Sequence, residues 1–164
     1  MKIEFDIIEQ ALRSVIRAVE QAIPAFQGLP DWPKDRSGGY FCLADGAGIP
    51  IFIVKVGEPS IEKREKYRQF CIEKAARLGQ FERHQSSWES RKPDLSFWGG
   101  AVRVKKNDDD FIFSFSGLPE LADEALMLLT AHIFFGHDAQ TIGPKLYEIA
   151  RISGNFYWGA IREG

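Results

Sequence analysis

Cysteine is scarce in this chain of 164 residues, with only Cys42 and Cys71 and no CxxC pair. That spacing leaves no zinc or dithiol motif, and two reduced, buried thiols are the expectation, one on a strand and one on a helix. Long apolar runs are missing too. None approaches the roughly 18 residues a membrane span needs, and the early acids of MKIEFDIIEQ interrupt any signal-peptide core. No membrane partner and a cytoplasmic address follow as expectations. Charge of one sign is also lacking: the formal charge is -2, and the Lys63–Arg68 run is interleaved with Glu62 and Glu65. A nucleic-acid partner is therefore excluded, since its footprint needs an unbalanced basic surface. No GxGxxG opens a helix after a strand, and no GxSxG elbow is present, so neither a dinucleotide site nor a serine nucleophile is signalled. Whether the chain is an enzyme stays open at this point.

What is present is a length suited to one domain, residues 1–164, with an ordinary 45% hydrophobic share. Ile8, Ala11, Leu12, Val15, Ile16, Val19 and Ile23 recur at helical spacing. Asp6 and Glu9 have capping-box spacing at the start of that helix, and Pro24 is expected to end it. Residues 28–39, rich in Gly, Pro and charge, form a loop long enough to be a candidate flap. Tyr40–Ala44 and Ile49–Val56 flank Asp45-Gly46-Ala47-Gly48 and predict a hairpin.

Ser60 is placed to cap a second helix with Tyr67, Phe70, Cys71, Ala75 and Leu78 inward, ending near Gly79. Residues 82–97 lack a period and read as a long loop, with a short strand within it as the alternative. Gly100, Val102 and Val104 then alternate with Ala101, Arg103 and Lys105. Phe111, Phe113 and Phe115 alternate with Ile112, Ser114 and Ser116, giving a second pair of half-buried strands. A third helix from Pro119 carries Leu121, Ala125, Leu128, Leu129 and Ile133 inward and stops at Gly136. A shorter one follows from Pro144, and the tail GNFYWGAIREG adds three consecutive aromatics. The order α-β-β-α-β-β-α-α predicts an α+β fold with an antiparallel sheet of four to five strands flanked by helices.

Four pieces of the sequence form a pattern. They are the hairpin LADGAGIPIFIV (43–54), the Ser60-led helix ending in EKAARL, the Gly99-Gly100 entry to a strand, and FSFSGLPELADEA (113–125). Together they resemble the GlcG/HbpS-like group of small bacterial proteins, which includes the C-terminal PduO-type domain. The resemblance covers about residues 40–130, leaving a C-terminal helical extension over 140–164. It implies an α+β fold, a homodimer or higher oligomer, and in some members binding of haem or a related tetrapyrrole. It implies no common enzymatic activity. The chain departs from the group where VKVGEPS replaces an Arg-Met-Asp-Gly-Ala-like segment, and where Phe113 and Phe115 replace small residues.

The candidate site lies between the sheet and the second and third helices. Gly99, Gly100 and Arg103 would border it from one strand, Ser116 and Gly117 from the next, and Glu120 and Glu124 from the helix. The Ser116–Pro119 corner can present N–H groups to an anion, although the acids behind it also complement the helix dipole without any ligand. Glu120 and Glu124, at i and i+4, share a face and could bridge a divalent cation, the basis of a metal-assisted enzyme as the alternative function. His132 is either a packed residue on the apolar stripe or an axial imidazole for haem, with His84 and His137 as weaker candidates. Trp88, Trp98 and Phe156–Trp158 exceed what one small core needs, which points to an oligomer or to a structural subunit meeting a partner through its tail. A small-molecule-binding homo-oligomer is the expectation.

Overall fold

The computed structural model describes residues 2–106, 108–136 and 139–162. The first helix, α1 (Lys2–Gln27), buries Ala11, Val15, Ala18, Ala22 and Phe26 along one side. This stripe lies to one side of the expected one, so Ile16 is left 43% exposed. Both predicted ends are corrected. Asp6 cannot be the N-cap because the helix already runs from Lys2, and Pro24 sits inside it. An interior proline costs about 3 kcal/mol. Here that cost is opposed by full burial of Phe26 two residues on, worth about 1.5–3 kcal/mol, and by its ring contacts with Trp32 and Tyr157.

Two antiparallel hairpins follow. The first is β1 (Gly38–Asp45) with β2 (Pro50–Gly57), and the second is β3 (Ala101–Lys106) with β4 (Asp109–Ser116). They join through β1 and β4, with Tyr40 opposite Ser116 and Leu43 opposite Phe113, giving one sheet in the order β2-β1-β4-β3. The helix between the hairpins, α2 (Arg64–Gln80), covers one face of the sheet. α1 and α3 (Glu120–Phe135) cover the other. Period-2 alternation sorts the side chains between these layers. Phe41, Leu43, Val102, Val104, Phe111, Phe113 and Phe115 point to the α1/α3 side, while Cys42, Ala44, Ala101 and Ile112 point to α2. The α2 side uses small residues, which lets that helix lie close.

The expectation of half-buried strands fails for β4, whose last six residues are all buried. Helices on both faces leave no solvated side. α3 is likewise buried almost all round, from Ala122 through Ala131, rather than on one stripe. The reason lies downstream: α4 (Ala139–Ser153) and α5 (Phe156–Arg162) pack against its outer side. Pro144 falls inside α4 instead of starting it. Tyr157 and Trp158 of the aromatic tail are buried in this same core, and of the three aromatics only Phe156 is exposed. The chain order α1-β1-β2-α2-β3-β4-α3-α4 is the predicted one, with α5 added by the tail. No helix among the described residues is long and apolar enough to cross a membrane.

Two local signals carry a different meaning from the one expected. Ser60 makes no side-chain cap and leads instead into a 3-10 turn, Ile61–Lys63, ahead of α2. Gly79 does not end α2, which continues to Gln80. A Cβ there would sit 2.2 Å from the Ala47 carbonyl, so Gly79 is where the first hairpin turn rests on the helix.

Candidate functional site

The α2 face of the sheet carries a buried ion pair. Lys74, on the inward side of α2, is 2% exposed and donates to the Phe115 carbonyl at 2.8 Å and to Asp123 Oδ2 at 2.9 Å. Asp123, in the first turn of α3, accepts from the Leu118 backbone N–H with its other oxygen at 2.9 Å. One carboxylate thus fixes the β4–α3 corner and neutralises the lysine. Burial pushes the Asp123 carboxyl up to about 6, against the pull of Lys74 and of the Leu118 N–H. Gly100, at φ +127°, makes room for the pair: a Cβ there would lie 2.7 Å from Lys74 Nζ.

Alternation along β4 places Ser114 and Ser116 on this same side of the sheet. Ser114 donates to the Cys71 carbonyl of α2 at 2.7 Å. Ser116, one step nearer the start of α2, is 3% exposed, and its hydroxyl has no hydrogen-bond partner among the described residues. It borders a cavity of about 300 Å³ that opens between the first half of α2, the β4–α3 corner and two loops. Lys74 and Asp123 lie at its base, and Tyr67, Phe70 and Trp98 supply aromatic wall. Arg36, Lys63 and Lys66 also line it.

Each of the three aromatics has a cation over its face. Arg36 lies 5.5 Å from the Tyr67 ring centre, Lys66 5.5 Å from Phe70, and Arg91 5.6 Å from Trp98. Arg36 is steadied by donating to the Gly117 carbonyl at 3.2 Å, while its own carbonyl accepts from Trp32 Nε1 at 3.1 Å. The Gly28–Gly39 stretch, expected as a loop, therefore delivers a charged group to the cavity. Glu120 pairs with Arg91 and accepts from the Gly99 backbone N–H at 2.9 Å. Arg91→Ala is expected to lower stability by about 1 kcal/mol, since it removes a partly exposed ion pair and two cation–π contacts. Chemical denaturation at pH 7 measures this, and an unchanged midpoint would show that Arg91 holds nothing in place.

A solved structure resembles this one. The crystal structure of Klebsiella pneumoniae protein ORFY, described by the family model DUF336, matches 77% of this chain and 88% of that chain. The two are 17% identical in sequence, with a TM-score of 0.46. No protein-family model matches the chain, and no curated protein matches it.

The structure gathers only part of the expected residue set at the cavity. Ser116 and Glu120 line it, and Gly99 and Gly100 lie directly behind it. Gly117 packs against the backbone of Gly38 and Gly39, where its close approach seats β1. Arg103 is elsewhere. It is buried at the C-terminal end of α2, donating to the carbonyls of Gly46, Leu78, Phe81 and His84, so it ties the first hairpin turn to that helix end.

Glu124 is also removed from the cavity. It is fully buried and accepts from the hydroxyls of Ser86 and Ser153 and from Asn155 Nδ2 at 2.9 Å. Burial pushes its carboxyl up, against the pull of those three donors. With Glu120 engaged by Arg91 and Glu124 by Ser and Asn, the i, i+4 pair has its acceptors already committed. Among the described residues no group of three or more His, Cys, Asp or Glu side chains is placed to hold a metal.

The histidines do not converge on the site. His132 is exposed rather than on the buried stripe, because α3 turns that position outward near its end. His84 stacks on Phe81 at 4.6 Å and does not line the cavity. His137 lies outside the described residues. The lining therefore does not fit a haem. It offers no imidazole or thiolate for the iron, and Tyr67, the lining residue of a type known to ligate haem iron, lies beneath the Arg36 guanidinium.

Sequence reasoning passed over Lys74, Arg36, Lys66 and the role of Asp123. A usable signal existed for one of them: Lys74 falls on the buried side of α2 between Cys71 and Leu78, and a lysine there requires a buried partner. Arg36 and Lys66 carry no such mark, because a charged loop residue and a charged helix face are ordinary.

Proposed function

We propose that this chain is a small-molecule-binding protein whose ligand occupies the cavity between α2, the β4–α3 corner and the Arg36 loop. The observation that carries this is the make-up of the cavity, in which the Ser116 hydroxyl, open to the cavity and without a protein partner, lies beside a lysine using two of its three N–H donors. A concave, aromatic-walled cavity with a few convergent polar groups is the usual form of a ligand site. A volume of about 300 Å³ is at the small end of the usual range, roughly 300–1,000 Å³. Membership of the GlcG/HbpS-like group is part of the same reading. Its support is that the hairpin at 43–54, the Gly99-Gly100 entry and the 113–125 corner each fall on the element the resemblance assigns.

Amide NMR of the labelled protein titrated with a small-fragment library tests the site. The expected result is shifts concentrated on Tyr67, Phe70, Trp98, Ser116 and Leu118, and Phe70→Ala should weaken those titrations. Fragments that perturb only other surfaces would overturn the assignment.

A further inference from the structure

We infer that the cavity takes a small organic anion carrying a flat apolar ring, its anionic group held by Lys66 and Arg36 and its ring lying along Phe70 and Trp98. This rests on the reading of the cavity as a ligand site and adds the ligand's chemical class.

The charge balance around the cavity sets the sign. Lining cations are Arg36, Lys63, Lys66 and Lys74, against Glu120 and Asp123. Two side chains just outside pair with these groups, Arg91 with Glu120 and Asp35 with Lys63. Five positive side chains thus meet three negative ones, a local excess of two positive charges on a chain whose formal charge is -2. The negative groups are also committed. Asp123 faces Lys74, Glu120 faces Arg91, and Asp35 is shared between Lys63 at 3.1 Å and Arg36 at 3.9 Å. Lys66 has no carboxylate partner among the described residues and rests over the Phe70 ring. A cleft with low-dielectric walls focuses such an excess toward an incoming anion.

The ring requirement comes from the walls. Phe70 and Trp98 are each only partly buried, so both present open ring surface. The cations over Tyr67, Phe70 and Trp98 hold positive charge beside apolar faces, the arrangement that an aryl carboxylate or aryl phosphate complements with its two ends. Deeper in, the Ser116 hydroxyl and the third Lys74 N–H can meet a further polar atom of the ligand.

A matched series of one ring with different charge tests this by isothermal titration calorimetry on the full chain. The probes are 2-naphthoate, 2-naphthyl phosphate, neutral 2-naphthamide and cationic 2-naphthylmethylamine, with acetate as the ringless control. The expected result is 1:1 binding of 2-naphthoate or 2-naphthyl phosphate, whichever is tighter naming the anion, with 2-naphthamide weaker by about tenfold. Affinity should fall as salt is raised. Lys66→Glu, an exposed position whose change leaves the core intact, should abolish the preference for the anion, and Arg36→Ala should weaken it.

Equal or tighter binding of the amide or the amine, with amide shifts still on Phe70 and Trp98, would overturn the anion class while leaving the cavity as a ligand site. Acetate binding as tightly as 2-naphthoate would overturn the ring requirement. No binding by any probe, together with no fragment shifts at the cavity, would overturn both readings.

Discussion

Lys74→Met should destabilise the folded chain by about 3–5 kcal/mol at pH 8, because it leaves the Asp123 carboxylate buried without its cation. The variant should recover much of that loss at pH 5. Asp123 already titrates at about 6 with the ammonium 2.9 Å away, and removing the ammonium raises that value further, so at pH 5 the carboxyl is protonated and its burial is tolerated. Urea unfolding at both pH values gives the comparison. An equal loss at pH 5 and pH 8 would mean that the lysine acts by packing alone.

The wild type carries the same linkage with a defined sign. The folded value of Asp123 lies above its ordinary 3.8, so its contribution to stability is fully present below about pH 4 and is lost as pH rises through 6. Exposed Asp35, Glu65 and Glu148 run the other way. Hydrogen bonds to Lys63, Arg68 and Arg151 lower their values, so what they contribute is lost as pH falls.

The second large effect belongs to Glu124. Glu124→Leu is expected to cost about 3–4 kcal/mol, since Ser86, Ser153 and Asn155 each lose a buried acceptor and an unsatisfied buried donor costs about 1–3 kcal/mol. Glu124→Gln keeps the shape and one carbonyl oxygen, and the serine hydroxyls can rotate to accept from the amide, so about 1 kcal/mol is expected. The pH dependence separates the roles further. Burial raises the folded value of Glu124, so its contribution is lost as pH rises through that value, and Glu124→Gln should lack this part of the decline. A Gln variant as unstable as the Leu variant would show that the negative charge itself is required.

The sheet was legible because its hydrophobic alternation is regular. Phe111, Phe113 and Phe115 against Ile112, Ser114 and Ser116 fix both the strand and its two faces, and Asp45–Gly48 fixes the first turn. The burial of both β4 faces was not legible from a strand with serines at 114 and 116. Those hydroxyls look solvated until α2 is laid over them and one is seen to bond Cys71. The end of α1 was misplaced because the rule for the residue before proline is a bias, and the aromatic cluster of Phe26, Trp32 and Tyr157 overrides it from positions far apart in the chain.

For the site, Ser116, Glu120 and the Gly99-Gly100 pair carried local signals and fell at the cavity or against it. Arg103 was assigned to the site through its strand, entered at Gly99-Gly100, and Glu124 through its i, i+4 spacing with Glu120. Both prove to be charges that join separate segments of the fold, and their partners, mostly backbone carbonyls in one case and Ser and Asn side chains in the other, leave no trace in a hydrophobic pattern.

The join between β1 and β4 has a consequence for how this chain reaches its native state. Each hairpin closes over a short turn and can zip early, but Tyr40 finds Ser116 only after α2 and the long 82–97 segment have been looped out. The entropic toll of that closure falls on the middle of the sheet, where local hairpins contribute nothing to the search. Folding is thus expected to be limited by the meeting of two preformed halves, with α2 packed over β1 and β4 acting as the clasp that keeps the seam shut.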